Sequence, residues 1–510
     1  MQMQNESKVL LRITDLKQYF PLKQKGLYVR ANDGITLDIY EGETIGIVGE
    51  SGCGKSTLGR TLLQLYRQTD GRTMYYGRTL DDLAPRYVRA TLRTLAKRRL
   101  QLKALEQKRD EIRREYEAMA DGKAKYTKRN ELYQAQKEAK DALLDVTNLI
   151  GGFIKVENLQ AVGEAFLQVY ELSSKLCAAE RKLETLTMNR ESAEYAANEK
   201  KGNRKLGEKA AKLRAQEEAQ NKLIADIHIQ LAKAREGIDQ MRKPYADDEE
   251  FQRYEAFRDD GIDLARLSYN EIRLLRRDLQ MIFQDPYSSL NPRMTVGQII
   301  SEGMTAHKFF KKKDKRMQDE IIRVMDSAGL APYFIHRYPH QFSGGQRQRI
   351  GIARALAVRP KFVVCDEAVS ALDVSIQSQI INLLRDLKEQ KRLTYMFITH
   401  DLSVVKYISD RIGVMYLGNL VELAPAQELF DHPRHPYTEA LMNAIPTTDV
   451  DAPREIQVLE GDIPSPVRPP SGCKFHTRCR YCTEICEHAV PDWVEVSPNH
   501  FVACHHMLQE

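Results

Sequence analysis

One short segment indicates the fold of this chain most directly: Gly49-Glu50-Ser51-Gly52-Cys53-Gly54-Lys55-Ser56-Thr57. It follows a β-rich run at residues 44–48 and opens a helical pattern that continues to about residue 65. Its glycines allow successive backbone N–H groups to face one bound anion, and the start of a helix adds positive potential. A chance glycine turn is the alternative, but the flanking strand and helix favour a phosphate-binding loop. Lys55 would then bridge nucleotide phosphates, and the Ser56 hydroxyl would bind Mg²⁺.

Composition and hydropathy argue against a wholly disordered chain and against a membrane-spanning one. The chain has 510 residues, 42% of them hydrophobic, so it is long enough for several domains and is not disordered throughout. Its 77 Lys and Arg residues nearly balance 71 Asp and Glu residues, and the net charge of +6 does not by itself indicate a nucleic-acid partner. No apolar run is long enough to cross a membrane, and residues 1–8 lack the apolar core of a signal peptide. We therefore expect a soluble, cytosolic protein.

Two segments separated in sequence share one pattern. Residues 1–78 and 261–445 alternate short β-rich runs, such as 362–365 and 395–399, with helical segments. This alternation predicts one α/β domain that is interrupted by an insert. Residues 446–510 are rich in Pro and Cys and predict a small C-terminal domain with too little apolar content for a large core.

The insert, residues 79–260, is highly charged and contains no proline from residue 86 to 243. Its apolar residues recur at spacings of three and four near both ends, although Arg109 and Glu217 interrupt the two seams. We predict one long antiparallel helical hairpin, a coiled coil, with a turn at residues 151–152 or 202–207.

Two carboxylates, Asp366 and Glu367, follow the hydrophobic run at 361–365. Open α/β sheets bind ligands at the carboxyl ends of their strands. Asp366 is therefore a candidate Mg²⁺ ligand, and Glu367 a candidate general base for an attacking water. A surface turn would show the same pattern, so the interpretation depends on the motifs around it.

A serine and two glycines, Ser343, Gly344 and Gly345, precede a helical pattern at residues 346–356. Backbone N–H groups at such a helix start form a second anion site, although a simple helix cap has the same sequence. His400 follows the predicted strand at 395–399 and would more often be a structural histidine than a phosphate contact.

Together these motifs resemble the ATP-binding cassette (ABC) family. In this comparison residues 343–346 resemble the signature motif, and Gln284 in Phe283-Gln284-Asp285-Pro286 resembles the glutamine of the Q-loop. Residues 370–373 resemble the D-loop, and His400 resembles the switch histidine. The resemblance implies a P-loop NTPase of α/β class that hydrolyses ATP with Mg²⁺. It also implies two cassettes that sandwich ATP between the P-loop of one and the signature of the other.

The resemblance assigns roles residue by residue. The catalytic residues would be Glu367, His400 and Gln284, and the Mg²⁺ ligands Ser56, Gln284 and Asp366. The residues that bind the chain's own ATP would be Phe20, Gly49, Ser51, Gly52, Cys53, Gly54, Lys55, Ser56 and Thr57. The residues that contact the partner's ATP would be Ser343, Gly344, Gly345 and Gln346. Phe20 is the candidate that stacks on adenine, with Tyr19 as its competitor, and a core aromatic fits either position.

Residues 288–293, 337–340 and 432–437 narrow the resemblance to the ATP-binding subunits of oligopeptide/dipeptide permeases. The resemblance implies a peripheral subunit at the cytoplasmic face of the cell membrane, which drives uptake of peptides or a similar small solute. Its partners would be two membrane permease subunits, a second cassette, expected to be a sister subunit, and an extracytoplasmic solute-binding protein. The chain departs from the family at Ala368, where proline is usual, and in the 79–260 insert, whose partner the family does not indicate.

A non-transport ABC ATPase, which uses its coiled-coil arm in nucleic-acid or ribosome-associated work, is the alternative. DNA-tethering members resemble one another in placing the coil between Q-loop and signature, whereas this insert precedes Gln284. A paired-cassette translation factor would need two P-loops, and the chain has one. The insert begins with a basic stretch, residues 86–103, that lacks interleaved aromatics for stacking bases, so we expect no nucleic-acid partner.

Five cysteines crowd the C-terminus and indicate a metal site in a reducing compartment. Four thiolates suit either zinc or an iron–sulfur cluster, and the spacing of Cys479 and Cys482 favours zinc when taken alone. The permease subunits resemble this tail in a pattern that implies a [4Fe–4S] cluster on Cys473, Cys479, Cys486 and Cys504, with Cys482 surplus. We expect the [4Fe–4S] cluster and keep Zn²⁺ as the alternative.

Overall fold

The computed structural model describes residues 8–120, 122–199, 204–311, 314–444 and 461–508. The strands are β1 (Val9–Pro21), β2 (Tyr28–Tyr40), β3 (Thr44–Val48), β4 (Asp70–Tyr75), β5 (Ile262–Asp263), β6 (Leu279–Ile282), β7 (Phe362–Asp366), β8 (Thr394–Ile398), β9 (Arg411–Tyr416), β10 (Asn419–Pro425), β11 (Val494–Ser497) and β12 (His500–Val502). The α-helices are α1 (Lys55–Leu62), α2 (Leu80–Leu83), α3 (Arg86–Leu92), α4 (Leu95–Ala118), α5 (Lys123–Ile150), α6 (Leu159–Glu199), α7 (Arg204–Arg242), α8 (Glu249–Glu255), α9 (Tyr269–Leu275), α10 (Val296–Ala306), α11 (Arg316–Ser327), α12 (Gly344–Leu356), α13 (Val374–Lys391), α14 (Leu402–Ile408), α15 (Ala426–Asp431), α16 (Pro436–Asn443) and α17 (Glu484–His488). Among the described helices, none combines the length and apolar character needed to cross a membrane.

The chain folds into two compact units. The sheet unit comprises Met1–Gly77, Asp263–Ala265 and Ile272–Glu510, and the helical unit comprises Arg78–Ile262 and Arg266–Glu271. Each unit has buried apolar clusters of its own.

An eight-stranded sheet in the order β11-β12-β10-β9-β3-β8-β7-β6 forms the centre of the sheet unit. Strands β9, β3, β8, β7 and β6 are parallel. Every residue of β3, β7 and β8 is buried, which is typical of parallel strands covered on both faces. The carboxyl ends of these neighbouring strands therefore meet at one edge of the sheet.

The C-terminal residues extend this same sheet. Strand β10 pairs antiparallel with β9, β12 pairs with β10 in the register Leu423 to Phe501, and β11 pairs with β12. The predicted separate Cys-rich domain is therefore not confirmed. The tail has too few apolar residues for its own core, and it gains order by pairing with a strand that is already buried.

A second, four-stranded sheet has the order β2-β1-β4-β5. Strand β1 pairs antiparallel with both β2 and β4. Its inward-facing residues Leu11, Ile13 and Leu16 are fully buried, and Leu37 and Ile39 of β2 are buried with them. Alternation of apolar and polar residues along β1 places one face of this sheet in the core.

The helical unit contains two antiparallel helix pairs, so the prediction of a single hairpin is wrong. Ion pairs Arg98–Asp145 (3.4 Å) and Lys108–Glu138 (3.3 Å) join α4 to α5 in antiparallel register. Helices α6 and α7 pack through a buried apolar seam that consists of Leu172, Leu176, Ala179, Ile227 and Leu231. A coiled coil is not confirmed, because α4 buries only Leu95 and Leu102 among its described residues.

The insert has no proline between residues 86 and 243, yet its helices are interrupted, and one of the breaks lies at Gly151 and Gly152. Gly151 has φ 56° and ends α5, and the turn Gly151–Lys155 leads into the next helix pair. A side chain at Gly152 would lie 2.5 Å from the carbonyl oxygen of Phe251, so this turn requires glycine. Of the other predicted turn, residues 202–203 lie outside the described residues and Gly207 lies within α7.

Polar residues in the second seam have partners across it. Glu217 of α7 accepts hydrogen bonds from Thr187 (2.6 Å) and from the Arg190 guanidinium (2.5 Å) of α6. The interruption seen in the sequence is therefore a polar contact within the α6–α7 pair.

Some basic side chains of residues 86–103 have partners within the helical unit. Arg89 lies 3.8 Å from Glu171, and Arg99 donates to the carbonyl oxygen of Val156 (2.7 Å). These contacts agree with a solvated helix face that is partly paired within the fold.

Candidate functional site

The loop between β3 and α1 has a backbone that only glycine can adopt at two positions. Gly49 and Gly54 have φ values of 145° and 101°. A Cβ atom at Gly54 would lie 2.0 Å from the carbonyl oxygen of Ala31, and one at Gly49 would lie 2.2 Å from that of Met415. The glycines of the motif thus let the loop pack closely against the neighbouring backbone. Helix α1 ends at Leu62, three residues earlier than the sequence predicts.

Lys55 is buried at the centre of this loop. Its ammonium donates to the carbonyl oxygens of Gly49 (2.7 Å) and Glu50 (3.0 Å). A buried ammonium needs acceptors, and phosphate oxygens are stronger acceptors than carbonyls because they carry charge. Lys55 is therefore placed to bind an anion that enters the loop.

Asp366 is fully buried and holds two groups of α1. The Ser56 hydroxyl donates to its Oδ1 atom at 2.5 Å, and the Arg60 guanidinium donates to Oδ2 at 3.3 Å. A hydroxyl beside a buried carboxylate is a typical hard-oxygen ligand set for Mg²⁺, in which water and phosphate complete the coordination. The structure thus places together two of the three predicted Mg²⁺ ligands.

Glu367, Gln284 and His400 meet at the same edge of the sheet. The Gln284 amide donates to Oε2 of Glu367 at 2.6 Å, and Nδ1 of His400 lies 3.6 Å from Oε1. Glu367 has φ 46°, a left-handed conformation that is uncommon for a non-glycine residue and turns the chain sharply at the end of β7. The buried Ala368 follows in this turn.

The signature segment lies on a different element. Ser343 caps α12: its Oγ accepts from the N–H of Gln346 (3.4 Å), and Oε1 of Gln346 accepts from the N–H of Ser343 (3.2 Å). Ser343 and Gly344 are exposed, whereas a side chain at Gly345 would lie 2.4 Å from Ile376. The hydrogen bonds of the Ser343 and Gln346 side chains are thus made with each other, as in a capping box.

The two aromatic candidates for adenine stacking are both half-buried. Phe20 packs edge-on against Tyr66, with 5.2 Å between ring centroids. The Tyr19 hydroxyl donates to Asp33, and burial together with this carboxylate raises the pKa of Tyr19. Phe20 stays a prediction.

Four of the five C-terminal cysteines line one small cavity. The lining includes Cys473, Cys479, Cys486 and Cys504 with His435, His476, His505 and His506, and Cys482 is not part of it. Burial raises the pKa of the Cys473 thiol to about 12 and that of the Cys504 thiol to about 11, so binding of a metal must displace protons. Within the described ranges, no three His, Cys, Asp or Glu side chains stand close enough together to hold a metal ion as they are.

Some residues of the site are not evident from the sequence. Arg60 contacts Asp366, and Arg478 of the tail contacts Glu50 of the loop. Neither arginine belongs to one of the motifs described above. The pairing of β12 with β10 is one feature that orders the tail, and it is a tertiary contact that spacing does not encode.

Comparison with known proteins identifies the chain. A model of the family "ABC transporter" matches residues 32–158 and 252–370. The oligopeptide transport ATP-binding protein AppF of Bacillus subtilis (strain 168) is 51% identical over 248 residues, which are 48% of this chain and 75% of that protein. The chain belongs to the ABC transporter family.

Further comparisons place this ABC protein more narrowly. A model described as "Oligopeptide/dipeptide transporter, C-terminal region" matches residues 421–486. The oligopeptide transport ATP-binding protein OppF of Salmonella typhimurium is 53% identical over 247 residues, 48% of this chain and 73% of that protein. A putative peptide import ATP-binding protein of Brucella ovis is 53% identical over 245 residues, 48% of this chain and 77% of that protein. The predicted resemblance is confirmed, and residues 159–251, which include α6 and α7, lie outside both family models.

The geometry around Asp366 predicts a change in the Mg²⁺ requirement of this ABC protein. Asp366→Asn keeps the shape of the side chain and removes its charge beside Ser56. We expect the Mg²⁺ concentration for half-maximal ATPase activity to rise at least about tenfold, because the metal loses a carboxylate partner. A Mg²⁺ titration of ATPase activity measures the effect.

The matched control is Asp401→Asn, which changes the residue that caps α14 through the N–H of Ser403 (2.9 Å). It should leave the Mg²⁺ requirement unchanged. Equal Mg²⁺ dependence of the Asp366 variant and the parent protein would contradict the assignment.

Proposed function

We propose that this chain is the ATP-hydrolysing subunit of an importer for peptides or a similar small solute. The observation that carries the proposal is that Lys55, Asp366, Glu367, Gln284 and His400 lie at or shortly after the carboxyl ends of the neighbouring parallel strands β3, β7, β6 and β8. The relatives are named as oligopeptide or peptide import ATP-binding proteins, which supports the choice of solute class.

The residues of the site divide the work of hydrolysis among them. The glycine loop and Lys55 bind the phosphates, while Ser56, Asp366 and Gln284 hold Mg²⁺. When bound, Mg²⁺ neutralises charge on the phosphate oxygens. Glu367 takes the proton of the attacking water, and the Gln284 amide at 2.6 Å orients the carboxylate. Nδ1 of His400 lies 3.6 Å from Oε1 of Glu367, and in this proposal His400 contacts the γ-phosphate.

The signature segment serves a second cassette. Ser343 and Gly344 are exposed at the start of α12, where a helix N-terminus favours an anion. One chain uses its own loop for its own ATP, so Ser343, Gly344, Gly345 and Gln346 contact the ATP of the partner. The two cassettes are sister subunits in this proposal.

The assembly around this subunit follows from the same family. Two membrane permease subunits carry the solute, an extracytoplasmic binding protein delivers it, and the ATP-binding subunit lies peripherally at the cytoplasmic face. The alternative, a non-transport ATPase with a nucleic-acid-binding or ribosome-associated arm, is not favoured, because the C-terminal match is to a transporter region.

The cysteine cavity is the proposed site of a [4Fe–4S] cluster on Cys473, Cys479, Cys486 and Cys504. Four thiols on one cavity fit the donor chemistry of an iron–sulfur cluster, and Cys482, the surplus residue of the predicted set, is not part of the cavity lining. The cluster would clamp the tail. Zn²⁺ is the alternative, since thiolates and the surrounding imidazoles also suit it.

The helical unit is proposed to be an arm that recruits or braces a partner of unidentified kind. The nucleotide motifs are all in the sheet unit, and the predicted insert, residues 79–260, largely corresponds to the helical unit. The arm therefore takes no part in ATP chemistry.

Glu367→Gln tests the proposed general base. The amide keeps the size of the side chain but cannot accept the proton, so turnover should fall about 10²–10⁴-fold while ATP stays bound. Equilibrium ATP binding and phosphate release in the assembled transporter measure both effects. Glu389→Gln, an exposed position on α13, is the matched control. Turnover of the Glu367 variant at the parental rate would show that another group is the base.

Paired serine substitutions test the metal centre. Cys486→Ser, on the cavity, should lose iron, sulfide and visible absorption, because one of four thiolate ligands is missing. Cys482→Ser, off the cavity, should keep all three. Anaerobic purification with iron, sulfide and zinc analysis gives the readout. Stoichiometric zinc without sulfide, or metal loss in the Cys482 variant alone, would overturn the cluster assignment.

Removal of the arm tests its independence. A short flexible linker in place of residues 86–255 should leave the ATP dissociation constant within about twofold of the parental value, because the nucleotide motifs all belong to the sheet unit, which has its own core. Isothermal titration with ATP measures it, and circular dichroism checks that the variant is folded. A folded variant that no longer binds ATP would contradict the proposal.

A further inference from the structure

We propose that Arg478 in the cysteine-rich tail is a positioning residue of the phosphate-binding loop, and that the tail thereby sets the affinity for nucleotide. The inference rests on the proposed function and goes beyond it, because the tail otherwise serves only as a clamped end of the sheet. It depends on a direct contact between two segments that lie 428 residues apart in sequence.

The contact is a two-point ion pair. One guanidinium nitrogen of Arg478 donates to Oε2 of Glu50 at 2.8 Å, and the other donates to Oε1 at 3.2 Å. The side chain of Arg478 is only 5% exposed and that of Glu50 is 26% exposed. Paired bonds in a partly desolvated place hold both the position and the orientation of a carboxylate. The pair therefore fixes Glu50 more firmly than a surface ion pair could.

The backbone of Glu50 is held from the same side. Its N–H donates to the hydroxyl of Tyr437 at 3.0 Å. Tyr437 is fully buried and packs against the rings of Tyr416 and Phe475, with centroids 4.8 and 5.3 Å away. Phe475 belongs to the tail, between Cys473 and Cys479. The tail thus supports both the side chain and the main chain of Glu50.

Glu50 in turn positions the lysine that binds phosphate. The carbonyl oxygen of Glu50 accepts from the Lys55 ammonium at 3.0 Å. A displacement of Glu50 would therefore move an acceptor of Lys55 and change the path of the loop whose N–H groups bind the anion. The Arg478 guanidinium also neutralises a carboxylate that lies within a loop built for negatively charged phosphates.

A second cation of the tail reaches the same region. Lys474, directly after Cys473, donates to Asp33 (2.9 Å) and to the carbonyl oxygen of Leu417 (3.2 Å). The neighbour of Asp33, Asn32, donates from its amide to the carbonyl oxygen of Gly54 at 3.1 Å. The tail segment that lines the cysteine cavity therefore carries two cations near the loop. Arg478 contacts Glu50 within the loop, and Lys474 contacts Asp33, the neighbour of a residue that bonds to the loop.

Arg478→Gln in the full chain tests the inference. We expect the dissociation constants for ATP and ADP to rise about tenfold, equivalent to about 1.4 kcal/mol. The KM for ATP should rise by the same factor, while kcat at saturating ATP stays within about twofold, because the catalytic groups are untouched. Arg478→Lys should lie between the two proteins, since lysine keeps the charge but not the two-point geometry.

Arg480→Gln is the matched control. Arg480 lies two residues further along the tail and pairs with Glu439 of α16 at 2.7 Å, a residue outside the phosphate-binding loop. Its removal should change neither nucleotide affinity nor KM. Iron and sulfide content and thermal unfolding, measured for both variants, report whether the tail itself remains intact.

A double-mutant cycle with Glu50→Gln gives the coupling between the two residues. The double variant should bind ATP no more weakly than Arg478→Gln alone, because each substitution removes the same Arg478–Glu50 ion pair. Unchanged affinity in Arg478→Gln would overturn the inference, as would equal losses in the Arg478 and Arg480 variants. A parent chain that binds no ATP would instead overturn the proposed function.

Discussion

The order of four parallel strands, β3-β8-β7-β6, is the constraint on which the rest of the site depends. Parallel strands end on the same edge of a sheet. The residues that follow each strand therefore lie side by side along that edge. Along it lie the phosphate-binding loop after β3, His400 after β8, Glu367 after β7 and Gln284 after β6. Side-chain contacts then join these neighbours, as in the hydrogen bonds from Gln284 to Glu367 and from Ser56 to Asp366.

The C-terminal tail shows how a segment with little apolar content can become part of this machinery. Strand β12 adds to β10, and the buried imidazole of His500 lies 2.8 Å from a carboxylate oxygen of the equally buried Glu422. Glu422 also accepts the N–H groups of Arg434 (2.7 Å) and His435 (2.9 Å), so its charge is satisfied. With the tail ordered in this way, Arg478 contacts Glu50, although the two residues are 428 positions apart in sequence.

Several residues of the candidate site could be predicted from the sequence because their chemistry is local. The glycines around Lys55 need unusual backbone angles, and Gln284, Glu367 and His400 each stand in a short motif at the end of a hydrophobic run. The helical unit was predicted less well. The absence of proline indicated helix, but the break at Gly151 and the partners of each helix depend on side chains that meet across the unit, and so two helix pairs replaced the single hairpin.

The family, the α/β alternation, and the candidate residues for binding phosphate and transferring a proton could all be predicted from the sequence. Those features depend on residue type and on spacing within a few positions. The contacts of Arg60 with Asp366 and of Arg478 with Glu50, and the pairing of the tail with β10, are seen only in the folded chain. Such contacts join residues tens to hundreds of positions apart, and they arise because burial of the sheet orders the segments that carry them.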